Sequence, residues 1–258
     1  MITSYLQGGL GNQLFQIAAA CSLAWENDDT PEFNLDRSEC PLQGRTANNY
    51  GNSVYTRLKK TRAEPKTLYR EPQQDYLKIP YQRDTMLFGY FQSEKYFCKH
   101  EEKIRALLGP TEDIESHIAE KYGDLLRRGM TSIHVRHGDY HKYKDTHPPC
   151  TMDYYNKAMD QFPGDTEYLV ISDSIEWCRE NFKGDKFYFV DSSAQQDYID
   201  FYLMSKCDNH IIANSSFSWW AAWLNPNPDR KVVVPLKWFG EAVNYSTADL
   251  IPNGWVRV

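Results

Sequence analysis

The residues Asn214-Ser215-Ser216-Phe217-Ser218 follow the apolar run His210-Ile211-Ile212-Ala213 and lead into Trp219, Trp220 and Trp223. A strand that opens into small hydroxyl residues and then an aromatic helix has the make-up of an anion site. Asn214 or Ser215 can cap the helix, the first-turn N–H groups and serine hydroxyls face outward, and the indoles anchor the helix beneath. An ordinary capped core helix has the same local sequence, so other segments must decide between the two.

Three segments bear on that choice. His134-Val135-Arg136-His137-Gly138-Asp139-Tyr140 closes an apolar run at 131–136, and strand alternation sends His134 and Arg136 to one side and Val135 to the other. Arg136 carries the planar fork that phosphate oxygens prefer, although a salt bridge to a nearby carboxylate such as Asp139 would also account for it. His134 by itself reads as a satisfied core histidine. Ser172-Asp173-Ser174 ends the next apolar run, where Asp173 either caps a helix or accepts hydrogen bonds from a guanine or ribose. The loop Gly8-Gly9-Leu10-Gly11-Asn12-Gln13 follows the first strand and lets backbone approach an anion closely. It is not a dinucleotide fingerprint, because Leu14 stands where the third glycine belongs, and the chain has no Gly-Lys-Ser/Thr loop for a nucleoside triphosphate. His134, His137, His141 and His147 raise a metal reading, but they lack helical i, i+4 placement and no cysteine or glutamate completes a familiar zinc set. With no Asp-x-Asp triplet either, an anion site here is expected to rest on arginine and backbone donors and to hold no metal.

Ligands of open parallel sheets lie beyond the carboxyl ends of the strands, so these loops must be delivered by alternating strands and helices. The second half of the chain has that alternation. Strands are predicted at 131–136, 168–171, 187–190, 209–213 and 232–234, with helices at 152–162, 174–181, 195–206 and 216–224, which argues for a parallel sheet covered on both faces. The first half opens with a strand over 2–6 and a helix over 13–25. Residues 26–80, rich in Asn, Asp, Arg, Pro and Gln, are expected to be irregular apart from a helix around 53–60; a strand at 85–91 and helices at 99–109 and 111–128 follow. A boundary is expected at 128/129.

At 258 residues and 41% hydrophobic the chain can build one large or two half-sized cores. Its net charge of −6 provides no basic field for nucleic acid, so an anion site must be local. No segment reaches the ~18 apolar residues of a membrane span, and the start of the chain lacks a signal-peptide pattern, so a cytoplasmic protein without an integral membrane segment is expected. Cysteines 21, 40, 98, 150, 178 and 207 form no Cys-x-x-Cys pair and are expected to be reduced thiols.

Five segments, in order, resemble the α-1,2-fucosyltransferase family and, more distantly, the α-1,6- and protein O-fucosyltransferases. They are Gly-Gly-Leu-Gly-Asn-Gln-Leu-Phe-Gln at 8–16, Gly-Tyr-Phe-Gln-Ser-Glu-Lys-Tyr-Phe at 89–97, His-Val-Arg-His-Gly-Asp-Tyr at 134–140, Ser-Asp at 172–173, and Asn-Ser-Ser-Phe-Ser-Trp-Trp-Ala-Ala-Trp-Leu at 214–224. The resemblance implies an α/β, GT-B-like protein whose two Rossmann-type domains, 1–128 on the acceptor side and 129–258 for the donor, face a cleft through parallel sheets. It implies inverting transfer of L-fucose from GDP-fucose to the 2-hydroxyl of a terminal β-galactoside, with no cofactor or essential metal. By carry-over Arg136 holds the β-phosphate, His134 contacts ribose or phosphate, and Ser172-Asp173 reads the nucleoside. Asn214, Ser215, Ser216, Phe217 and Ser218 form the pyrophosphate cradle, Gly9, Gly11, Asn12 and Gln13 close over phosphate and fucose, and Asp139 is the first candidate base, with Glu94 and His141 behind it. His137 stands where many relatives carry a second arginine. Transfer from another GDP-sugar and a catalytically silent GDP-sugar-binding module are the alternatives; a kinase lacks its Gly-Lys loop and magnesium carboxylates.

Overall fold

The computed structural model describes residues 1–39, 46–191, 196–243 and 245–258, without the side chains of Asp139 and His141. Cys40 and the first residue of the helix expected at 195–206 lie outside the described residues. The chain divides into two compact units, 1–110 with 245–253 and 111–244 with 254–258.

The first unit contains β1 (Ile2–Ser4), β2 (Leu6–Gln7), α1 (Leu10–Trp25), β3 (Ser38–Glu39), β4 (Thr67–Arg70), β5 (Thr85–Phe88) and α2 (Glu101–Leu108). β1, β5 and β4 form a parallel three-stranded sheet in that order, and β2 pairs with β3. α1 starts at Leu10, three residues earlier than expected, with Gly9 as its extended N-cap. Gly11, Asn12 and Gln13 therefore belong to its first turn and not to a loop. The residue that needs glycine is Gly8, at φ +75°, where a Cβ would also lie 2.5 Å from Asn12 Nδ2. No helix forms at 53–60, where the chain makes successive turns that bury Val54, Tyr55 and Leu58. Residues 245–253 rejoin this unit because Asp249 accepts from Tyr76 N (2.8 Å) and pairs with Lys95.

The second unit contains α3 (Glu112–Leu126), β6 (Thr131–Val135), α4 (Met152–Met159), β7 (Tyr168–Ser172), α5 (Ile175–Asn181), β8 (Phe187–Phe189), α6 (Asp197–Ser205), β9 (Asn209–Ile211), α7 (Ser216–Leu224), β10 (Val232–Val234) and β11 (Val256–Arg257). Its division from the first unit falls at 110/111 instead of 128/129, because α3 packs on α6 and Lys206 bonds Glu115 (2.6 Å). The six strands form one parallel sheet in the order β11-β10-β9-β6-β7-β8. Counted from β6 as the first strand, this is the 3-2-1-4-5-6 order of a doubly wound Rossmann-type sheet, whose direction of winding switches between β6 and β9. Alternation along β6 puts Ile133 and Val135 into a core with Tyr154, Tyr155, Cys178 and Phe182 of and around α4 and α5, while His134 turns to the opposite face toward α7.

Candidate functional site

The switch point brings together the ends of β6 and β9, and those ends carry the chemically loaded loops. Just past β6, Arg136 Nη1 lies 2.9 Å from Asp173 Oδ2, with 19% and 25% of the two side chains exposed. Asp173 follows β7, and its other oxygen accepts from the backbone N–H groups of His137 (3.0 Å) and Gly138 (3.2 Å). The carboxylate thus reaches across to the β6 loop and does not cap α5. Ser172 turns its hydroxyl to Ser174 N (2.9 Å). Arg136 pairs with Asp173; the side chain of its sequence neighbour Asp139 lies outside the described residues. Gly138 fits here because it lacks a side chain: a Cβ would lie 2.6 Å from Asp173 Oδ2.

Beyond β9, α7 begins at Ser216 with Ser215 as its extended N-cap and no acidic residue in its first turn to offset the positive end of the helix dipole. Ser215 caps by position alone, with no hydrogen bond from its side chain. Trp219, Trp220 and Trp223 are buried, and Trp219 stacks on Trp223 (6.3 Å between centroids) and packs on Trp255 (5.5 Å). Asn214 is a fastener: its amide donates to the carbonyls of Pro148 and Trp238 (2.9 Å each), and its oxygen faces Cys150 Sγ. Ser218 does not face outward as expected of the serines. It lies in the first turn, two residues past the helix start, and is buried, with its hydroxyl 2.8 Å from His134 Nδ1 and 3.4 Å from the Ser215 carbonyl.

His134 is almost fully buried, and desolvation, offset in part by Asp173 and reinforced by Arg136, lowers its pKa to about 4. At neutral pH it therefore offers a hydrogen bond and no charge. Its ring also packs near Phe217 (5.5 Å), which in turn meets Phe201 (5.4 Å). His137 is buried against Trp177 (4.0 Å between centroids), with Nε2 3.2 Å from the Cys150 carbonyl. This ring, at the position where the resemblance implies an arginine, is thus built into the packing beside α5. His147 Nδ1 meets Thr146 Oγ1 (3.1 Å), so His134, His137 and His147 look to different partners. Among the described residues no three His, Cys, Asp or Glu side chains gather into a metal-sized group.

Sequence reasoning missed Tyr140. Its hydroxyl donates to the Asn214 carbonyl (3.0 Å) and its ring lies under the Arg136 guanidinium (5.5 Å), tying the β6 loop to the start of α7. An aromatic residue four positions after a candidate phosphate arginine was the available signal.

In the first unit, Gln13 is fully buried and spent on structure, donating to Gly8 O and accepting from Tyr55 Oη (2.9 Å each). Asn12 Oδ1 accepts from Gln92 Nε2 (2.9 Å), and Gln74 donates to Gln92 Oε1 (3.2 Å). Glu71, which the sequence did not single out, accepts from Tyr90 N (2.6 Å) and Phe91 N (3.0 Å) and fixes Phe91 at φ +51°. The segments 8–16 and 89–97 therefore meet at the carboxyl edge of the β1-β5-β4 sheet.

An arginine and a dipole-bearing helix start at the switch point of a doubly wound sheet define an α/β protein built to bind an anionic ligand. The chain belongs to glycosyl transferase family 11, whose sequence model matches residues 1–257. It is 33% identical to the O-antigen biosynthesis glycosyltransferase WbnK of Escherichia coli, over 99% of each chain. It is 30% identical to an alpha-1,2-colitosyltransferase of the same species, over 100% of this chain and 99% of the relative. Among solved structures it is similar to the NodZ alpha-1,6-fucosyltransferase from Bradyrhizobium, at a TM-score of 0.56 and 15% identity over 87% of this chain and 92% of that one. That last likeness concerns the fold.

Proposed function

We propose that the chain transfers L-fucose from GDP-fucose to the 2-hydroxyl of a terminal β-galactoside, with inversion and without an essential metal. The observation that carries this reading is that Arg136, just past β6, and the α7 helix start, just past the adjacent β9, both stand at the switch point of the second unit and are linked through Tyr140. In this reading the units are the halves of a GT-B enzyme, the second holding GDP-fucose and the first the acceptor. The acceptor oxygen attacks fucose C1 as the bond from C1 to the β-phosphate oxygen breaks, and the electron pair leaves with GDP. Arg136 and the first-turn N–H groups of α7 meet the charge that grows on the phosphate. Asp173 holds the β6 loop and hands Arg136 over to the phosphate. His134, kept neutral, orients Ser218 and the first turn. The acceptor proton passes to a base, for which Asp139 is the first candidate and Glu94 and His141 the next.

Incubating the protein with GDP-fucose, lactose and excess EDTA, followed by mass spectrometry, tests the reading. A singly fucosylated product with released GDP is expected. GDP release without product would reject lactose as acceptor, and failure only in EDTA would reject metal independence. The colitosyltransferase relative favours one second reading, another GDP-sugar as donor, for which the same incubation would give neither fucosylated lactose nor released GDP.

A further inference from the structure

Away from the glycine-rich end of α1, the first unit contains a cavity of about 480 Å³ that no step above uses. It lies against the C-terminal half of α1, from Ala19 to Glu26, and is walled by the segment 76–81 and the turns bearing Lys95, Tyr96 and Lys99. At 1.5 Å per residue, Ala19 is already about 15 Å along the helix from Gly9, so this is a separate place.

Its polar groups are held in position. Lys95 pairs with Asp249, Lys99 Nζ lies 3.3 Å from Glu26 Oε1, Tyr81 Oη donates to Asp29 Oδ2 (3.2 Å), and Tyr96 Oη accepts from Leu77 N (3.2 Å). Tyr76 and Tyr96 pack edge to face at 4.8 Å, and Tyr81 is 41% exposed. Two features decide the kind of ligand. The cavity faces the negative end of the α1 dipole, and Lys95 and Lys99 already have carboxylate partners, which disfavours a phosphate. Fixed tyrosine rings beside paired donors and acceptors match a molecule with an apolar C–H face and a rim of hydroxyls, and the volume lies within the ~300–1,000 Å³ usual for small-ligand sites.

We propose that this cavity is a second carbohydrate site, holding a neutral disaccharide unit of the acceptor glycan beyond the sugar that is modified. The proposal rests on the acceptor reading above for its role, and its test is independent of turnover. The full chain is titrated, without donor, with N-acetyllactosamine and with the tetrasaccharide of two such repeats, by ligand-observed saturation-transfer NMR, and separately with GDP. The tetrasaccharide is expected to bind more tightly than the disaccharide, Tyr81→Ala to weaken the tetrasaccharide about tenfold, and Lys66→Glu, outside the cavity, to leave it within about twofold. GDP affinity is expected to stay constant throughout. Absence of tetrasaccharide binding, equal affinity in Tyr81→Ala, or an equal loss in Lys66→Glu would each overturn a neutral-glycan site here. Failure of the wild-type protein to bind GDP would instead sink the donor reading, while the saccharide titration still judges the cavity.

Discussion

Replacing Arg136 with alanine separates catalysis from folding. Its guanidinium lies 2.9 Å from Asp173 in a pair that is 19% and 25% exposed, and Asp173 keeps two backbone N–H donors after the arginine is gone. Loss of such a partly solvated pair costs about 1 kcal/mol or less of stability. The loss at the transition state is much larger. A preorganised donor aimed at developing charge contributes ~10²–10³ in kcat, or ~2.7–4 kcal/mol. Arg136→Ala is therefore expected to cut GDP-fucose turnover at least about a hundredfold while moving the urea midpoint little. Arg136→Lys keeps the charge but loses the fork, and should fall between the two. The assay is initial-rate product formation under saturating donor, paired with equilibrium unfolding of each variant. Turnover of Arg136→Ala within threefold of wild type would refute the assignment, and a collapsed unfolding midpoint would show that the residue acts through the fold.

Three further outcomes follow from the geometry. Gly138→Ala places a Cβ 2.6 Å from Asp173 Oδ2, so the β6 loop must shift, at about 1–3 kcal/mol of stability by urea titration and with weaker GDP binding by calorimetry. Burial lowers the pKa of His134 to about 4 and of His210 to about 3, so both are neutral when folded and take up protons more readily when unfolded. Their stabilisation is complete above the unfolded pKa of ~6.5 and is lost as pH falls toward 4, at about 1.4 kcal/mol per pH unit for each, which denaturation from pH 7 to 4 would register. Glu71→Ala strips the acceptor from the N–H groups of Tyr90 and Phe91 and should cost about 1–3 kcal/mol while leaving GDP affinity intact; an unchanged melting curve would show that the carboxylate does not hold the turn.

The second unit was legible because its elements are bounded by changes of pattern: α7 at 216–224 and β10 at 232–234 fall where the sequence places them. The first unit was not. β2 and β3 are two residues each, too short to show a period, and β4 alternates half-buried with exposed residues inside a polar stretch. α1 has no side-chain cap at Gly9 to mark its start, and is buried on nearly every side. In the site, the types of residue were readable but their partners were not. Arg136 finds a carboxylate at the end of the neighbouring strand, Asp173, a contact that the parallel β6-β7 register creates. Ser218 was expected outside because serines suit a helix start, yet helical rotation carries it under the first turn to His134.

Neither unit is a continuous length of chain, and the same stretch completes both. Residues 245–253 give the first unit Asp249, and residues 254–258 give the second its edge strand β11 and the indole of Trp255 against Trp219. A ribosome therefore releases two unfinished units and finishes them almost together, so neither can mature as an independent module while the other waits. Shortening the chain by that stretch would injure two cores at once, and expressing residues 1–110 alone would leave Tyr76 and Lys95 without the carboxylate that joins them.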